Sequence, residues 1–152
     1  MATRGRVLLD TNILLDVFDE ARVGHDDALA LLWYATLDPC AEELCASVTS
    51  YKDAYYILCR LYKNESLARE KITYLYENAI TPLDMRAGYG RVALESDEPD
   101  FEDGLLRALA EAEGMDAIVT RDSTAYANCS ITHMDAGTFL SARGFNYDII
   151  DF

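Results

Sequence analysis

Short aliphatic runs ending in polar tips alternate along the chain with longer stretches of helical spacing. Val7-Leu8-Leu9 runs directly into Asp10-Thr11-Asn12, which predicts a short buried strand whose carboxyl end carries an acid. Ile13, Leu14, Val17 and Phe18 then predict a short helix, with Asn12 either capping it or bonding Asp10. Asp26 to Leu37 has apolar residues in helical phase and stops at Pro39. Leu44 to Val48 is the second strand. Ser47-Val48-Thr49-Ser50 offers caps for a helix from Tyr51 to Tyr62, with Tyr55, Tyr56, Leu58 and Leu61 expected inside and Asp53 in its first turn.

The pattern repeats further on. Ser66 to Asn78 predicts a helix capped by Asn64 or Ser66, and Ala79 to Leu83 a third strand that Pro82 assigns to an edge or an end. Met85 to Glu95 reads as helical despite Gly88 and Gly90, and Phe101 to Glu113 as a strong helix stopped by Gly114. Asp116 to Thr120 is a fourth strand with the polar tip Thr120-Arg121-Asp122. Ser130 to Thr132 is a fifth, followed by a helix from Asp135 to Ala142. Strands alternating with helices predict an α/β fold with a mainly parallel sheet of about five strands covered on both faces. The core spans about residues 7–140, and the tail at 143–152 has no assigned element.

Length and composition narrow the class. The 152 residues suit one domain, and 51% hydrophobic with 26% charged residues are globular values. No apolar run approaches the ~18 residues of a membrane span, and Met1 to Arg6 leads into the first strand without a signal-like segment, so a cytoplasmic protein is expected. Cys40, Cys45, Cys59 and Cys129 lack metal-ligand or disulfide spacing, and His25 and His133 stand far apart, so structural roles are expected for them.

A net charge of −14 argues against broad electrostatic binding of a polyanion. The acids crowd between Glu95 and Asp116, whereas Lys52, Arg60, Lys63, Arg69 and Lys71 make a locally basic stretch, read first as a solvated helix face. An acidic chain can still hold a phosphate substrate if metal ions fill the acid cluster.

Four acids stand out by position. Asp10 and Asp122 end buried strands, while Asp53 and Asp103 start helices, and a right-handed parallel sheet brings such places together at its carboxyl edge. Carboxylates gathered there call for hard divalent cations, and the chemistry implied is phosphodiester hydrolysis. Each acid also has a plainer reading, as a turn residue or a complement to a helix dipole. Glu102 is expected about 100° around the helix from Asp103, supporting the site or facing solvent. Asp16, Asp100 and Asp116 are expected off the site.

In that order and at those intervals, Leu8-Leu9-Asp10-Thr11-Asn12, Ser47 with Asp53, Asp100-Phe101-Glu102-Asp103-Gly104-Leu105 and Ile118-Val119-Thr120-Arg121-Asp122 resemble the PIN-domain ribonucleases, including the VapC-type toxins. The resemblance covers Val7 to about Leu140. It implies a three-layer α/β/α sandwich and Mg²⁺- or Mn²⁺-dependent endonucleolytic cleavage of RNA. Asp10, Asp53, Asp103 and Asp122 would be the metal-binding catalytic acids, with Asn12, Ser47 and Thr120 as polar support. It also implies a homodimer inhibited by a small antitoxin whose tail enters the acidic groove.

The chain departs from the pattern at Asp53, where members often carry Glu, and at Ala125-Tyr126, where an Asp-Phe pair often stands. A phosphatase of the haloacid dehalogenase type needs a second carboxylate where Asn12 lies. The remaining alternative is a catalytically degenerate PIN-like scaffold that binds a protein partner through its acidic groove.

Overall fold

Val7, Leu8 and Leu9 have no exposed surface, and the strand they form is the middle of the sheet. The computed structural model describes residues 3–146. In chain order these form β1 (Arg6–Leu9), α1 (Thr11–Phe18), α2 (His25–Leu37), β2 (Glu43–Ser47), α3 (Val48–Tyr62), α4 (Glu65–Asn78) and β3 (Thr81–Leu83). There follow α5 (Ala87–Glu95), α6 (Phe101–Glu113), β4 (Ala117–Val119), β5 (His133–Met134) and α7 (Ala136–Ala142). The strands form a five-stranded parallel sheet in the order β3-β2-β1-β4-β5.

Alternation along β1 divides the core. Val7 and Leu9 point into one apolar layer with Leu31, Tyr51, Leu58 and Phe139, contributed by α2, α3 and α7. Leu8 points to the other face and packs with Ile118 and with Leu106 and Leu109 of α6. Helices therefore cover both faces, as the alternation of elements requires. Each buried aliphatic side chain contributes on the order of 1.5–3 kcal/mol.

Most elements fall where the periodicity puts them, and the differences have local causes. The first helix begins at Thr11 because Asp10 itself is its cap, accepting the Thr11 N–H at 2.7 Å. Helix α3 begins at Val48, since the Ser47 hydroxyl accepts the Ser50 N–H at 3.0 Å. Its buried face is the stripe of Tyr51, Ala54 and Leu58, three and four residues apart, while Tyr56 and Leu61, expected inside, lie off that stripe and are exposed. Asn64 is the cap of α4.

Pro82 does lie in an edge strand. The fifth strand is His133–Met134, later than Ser130 to Thr132, because the Ser130 N–H and hydroxyl are drawn to Glu111, both at 3.1 Å. Of the tail, Arg143 pairs with Glu42 at 2.6 Å and Phe145 meets Tyr34 edge to face. The rest of the tail, 147–152, lies outside the described residues.

Candidate active site

Register brings the first two site residues together. Leu9 lies opposite Val119, so the residues that follow them, Asp10 and Thr120, emerge side by side at the carboxyl edge. The Asp10 N–H donates to the Val119 carbonyl at 3.0 Å, and the Thr120 hydroxyl donates to Asp10 Oδ2 at 2.8 Å. Asp10 is only 5% exposed. Burial pushes its carboxyl up, against the pull of the Thr120 and Thr11 hydrogen bonds.

The Thr120 oxygen also accepts the Asp122 N–H at 3.0 Å, tying the second strand tip to the first. Asp122 Oδ1 accepts the Thr124 hydroxyl at 2.8 Å and the N–H groups of Thr124 and Ala125. These bonds hold its carboxyl below the usual range.

Helix α6 brings its amino end to the same edge. Asp100 caps it, accepting the Asp103 N–H at 3.1 Å, and Glu102 and Asp103 occupy its first turn. Asp103 is pushed up to about 7, first by burial and then by the charges of Asp10, Asp100, Glu98 and Asp122. Glu102 accepts the Thr11 hydroxyl at 2.9 Å and is raised by burial and by Asp53. Asp53 projects from the second turn of α3, where a helix dipole has little hold on it, and its neighbour Lys52 pairs with it at 3.0 Å.

Asp10, Asp53, Glu102, Asp103 and Asp122 line one groove of about 500 Å³, with Asp100 at the cap and Tyr56 and Arg60 on the α3 side. All four acids singled out in the sequence meet there. Asn12 lines the groove too, but it neither caps α1 nor bonds Asp10; its Oδ1 faces Arg22 at 3.5 Å. Ser47 is buried at the head of α3, and its hydroxyl is committed to Ser50 and Thr49.

Asp53, expected in the first turn of its helix, falls in the second because α3 starts at Val48, and the expectations for Glu102 and Asp100 also need correction. Glu102, expected to support the site or face solvent, lines the groove itself, and Asp100 lines it as well as capping α6. The groove lies beyond the end of α6, so first-turn side chains reach it from several azimuths, and a 100° rotation does not exclude a long Glu. Asp16 and Asp116 lie off the groove as expected: Asp16 is buried against Arg22 and Arg121, and Asp116 accepts the Arg6 N–H. The histidines anchor backbone, His25 donating to the Asp16 carbonyl and His133 to that of Ser123.

Tyr126 is a residue that sequence reasoning treated only as a missing acid. Its side chain is fully buried, and its hydroxyl lies beside the Asp10 carboxyl without a well-formed hydrogen bond. Burial and the charges of Asp10 and Asp103 push the phenol far up.

The donor set suits a hard divalent cation. Among the described residues no group of three or more His, Cys, Asp or Glu side chains stands close enough together to hold a metal ion, so the acids line the groove without forming a ready-made ligand set. Mg²⁺ keeps several waters and takes one or two carboxylates plus substrate phosphate, and an open cluster of mutually repelling carboxyls fits that demand.

Residues 7–129 match the PIN domain family. Over 126 residues the chain is 26% identical to Ribonuclease VapC1 of Aquifex aeolicus (strain VF5), covering 80% of this chain and 84% of that protein. The crystal structure of VapC20 from Mycobacterium tuberculosis, a sarcin-ricin loop cleaving toxin, aligns with a TM-score of 0.63 at 16% identity, over 80% of this chain and 94% of that one. A toxin-antitoxin complex from Klebsiella pneumoniae contains a chain that aligns with a TM-score of 0.60 at 16% identity, over 86% and 97%. At these identities the two structures show a shared fold.

Proposed function

Because the chain belongs to the PIN domain family, we propose that it is an Mg²⁺- or Mn²⁺-dependent endoribonuclease and the toxin of a toxin–antitoxin pair. Asp10, Asp53, Asp103 and Asp122 are its metal-binding and catalytic acids. The observation that carries this reading is the crowding of these carboxyls in one groove, with Asp103 pushed up to about 7 by burial and by its acidic neighbours. The similarity to a ribonuclease supports it.

When bound, a divalent cation would lower the pKa of a bound water and brace the phosphoryl group for in-line attack. The chain's own residues arrange the groove. Thr120 aims Asp10 through one hydrogen bond and holds the Asp122 backbone through another. Thr11 turns Glu102 toward the acids. Asn12 lends support beside Arg22, and Ser47 does so by capping the helix that carries Asp53. Asp103 is pushed up to about 7 by burial and its acidic neighbours, and a bound cation would draw it back to the carboxylate.

The proposed partners are an RNA substrate, a second copy in a homodimer, and a small antitoxin. The similarity to a toxin-antitoxin complex supports the antitoxin, and light scattering of the purified protein tests the dimer. Among the described residues no helix is long and apolar enough to cross a membrane.

The nuclease is tested by incubating mixed RNA with protein under Mg²⁺, Mn²⁺ or EDTA, beside Asp103→Asn. Cleavage should require metal and fall by at least about 100-fold in the variant, the scale of losing one positioned acid/base or charge-stabilising group. The second reading, a degenerate scaffold docking a basic partner, draws on six acids facing a single arginine in the groove. RNA left intact under both metals by folded protein favours that reading.

A further inference from the structure

The α3 side of the groove differs from the rest. Asp53, Tyr56, Ile57 and Arg60 follow one another at helical spacing and all line it. Ile57 is partly buried against the core. Tyr56 is 59% exposed, with no hydrogen bond from its hydroxyl among the described residues. Arg60 is the one base lining the groove, and it makes no ion pair among the described residues. One turn and two turns of helix, about 5 and 10 Å, separate Tyr56 and Arg60 from Asp53.

Single exposed apolar side chains are ordinary on a protein surface, and what sets Tyr56 apart is its place in the lining of the acidic groove. Its ring is buttressed, because Tyr55 meets it edge-on at 5.1 Å between centroids. Tyr55 is itself anchored from α4: its hydroxyl donates to Glu65, which pairs with Arg69 at 2.6 Å, and the Arg69 guanidinium lies over the Tyr55 ring. A held aromatic face beside one unpaired cation matches the needs of a single strand, whose bases stack on aromatic rings while its backbone is drawn to Arg or Lys. A duplex keeps its bases stacked on one another and has none to offer.

We propose that this α3 face is a subsite for single-stranded RNA, in which Tyr56 stacks on an unpaired base and Arg60 holds a phosphate beyond the acid cluster. The subsite rests on the nuclease reading and names the residues that hold the strand beside the acids, Tyr56 and Arg60. A metal ion, when bound, would offset the acids at one end of the groove, and Arg60 supplies positive charge at the other.

The test is steady-state cleavage of a single-stranded RNA by wild type and four variants. Tyr56→Ala should raise KM roughly ten- to hundredfold, the scale of one lost base stack, with kcat nearly unchanged. Alanine suits an exposed helix position, so folding is retained. Tyr56→Phe should keep the wild-type KM. Arg60→Ala should raise KM less and Arg60→Lys restore it.

Abasic nucleotides introduced one at a time around the cut should reveal one position where the loss equals that of Tyr56→Ala and the two losses do not add. An unchanged KM in Tyr56→Ala, or additive losses at every position, overturns the subsite and leaves the face to a protein partner. Wild-type protein that cuts no RNA overturns the nuclease reading instead. The subsite is then decided by anisotropy of a labelled single strand, which needs no cleavage: roughly tenfold weaker binding by Tyr56→Ala supports it, and equal binding overturns it.

Discussion

At the scale of single residues the candidate site is a problem of carboxyl repulsion. Asp10 is the buried member, and only the hydrogen bonds from Thr11 and Thr120 make its burial tolerable. Asp103 registers the crowd most directly, at about 7 without metal against about 3.9 in an unfolded chain. Between those values the native state holds more protons than the unfolded state, so this group's stability contribution is fully present below about pH 4 and is lost as pH rises through about 7. In EDTA, the melting temperature of wild type relative to Asp103→Asn should therefore fall as pH rises over that window, and saturating Mg²⁺ should remove the decline. A difference that stays flat, or that rises with pH, would show that Asp103 does not carry the strain.

At the scale of elements, the groove is assembled from helix beginnings. Asp10 caps α1 and Asp100 caps α6, so residues that start helices also bring acids to the carboxyl edge. Ser47 supports the site only through the fold, because its hydroxyl bonds only within the first turn of the helix that carries Asp53. Ser47→Ala should cost about 1 kcal/mol, a fall of roughly 2–4 °C in melting temperature for a chain of this size. Metal-dependent cleavage per folded molecule should stay unchanged. A large loss of cleavage without a loss of stability would give Ser47 a direct part in the chemistry. At the other end of α6, Gly114 adopts φ +64 and returns its N–H to Ala110 and Glu111, so the stop read from the sequence is a left-handed turn.

At the scale of the whole molecule, charge decides how a polyanion is held. With a net charge of −14 and one arginine in the groove, single-stranded RNA meets little positive surface. The logarithm of its affinity should fall with the logarithm of salt with a slope of only about −0.7 for each phosphate neutralised, so a slope near −1 is expected over about 50–200 mM salt. Titration of a labelled strand into Asp103→Asn measures it. A slope steeper than about −3 would require several further basic contacts and would move the binding face elsewhere, to the exposed basic positions Lys63 and Lys71.

Most of the architecture was legible in the chain because its causes are local. Alternation at Val7, Leu8 and Leu9, helical spacing from Phe101 to Glu113, and punctuation by Gly114 and Pro82 all act between near neighbours. The positions of Asp10, Asp103 and Asp122 were legible for the same reason, since each stands at or close to an element's end, whereas Asp53 falls one turn further into α3 than its spacing suggested. What tertiary structure alone decided was contact across the chain. The Thr11 bond that draws Glu102 into the groove spans 91 positions and the Thr120 bond to Asp10 spans 110, and no periodicity encodes either. Tyr56 shows the same limit from the other side. Its place on α3 was readable, but its exposure followed from packing, which turned the Tyr51, Ala54 and Leu58 stripe to the core instead. Hydrophobic spacing determines which elements form, whereas the packing of distant elements determines which side chains meet.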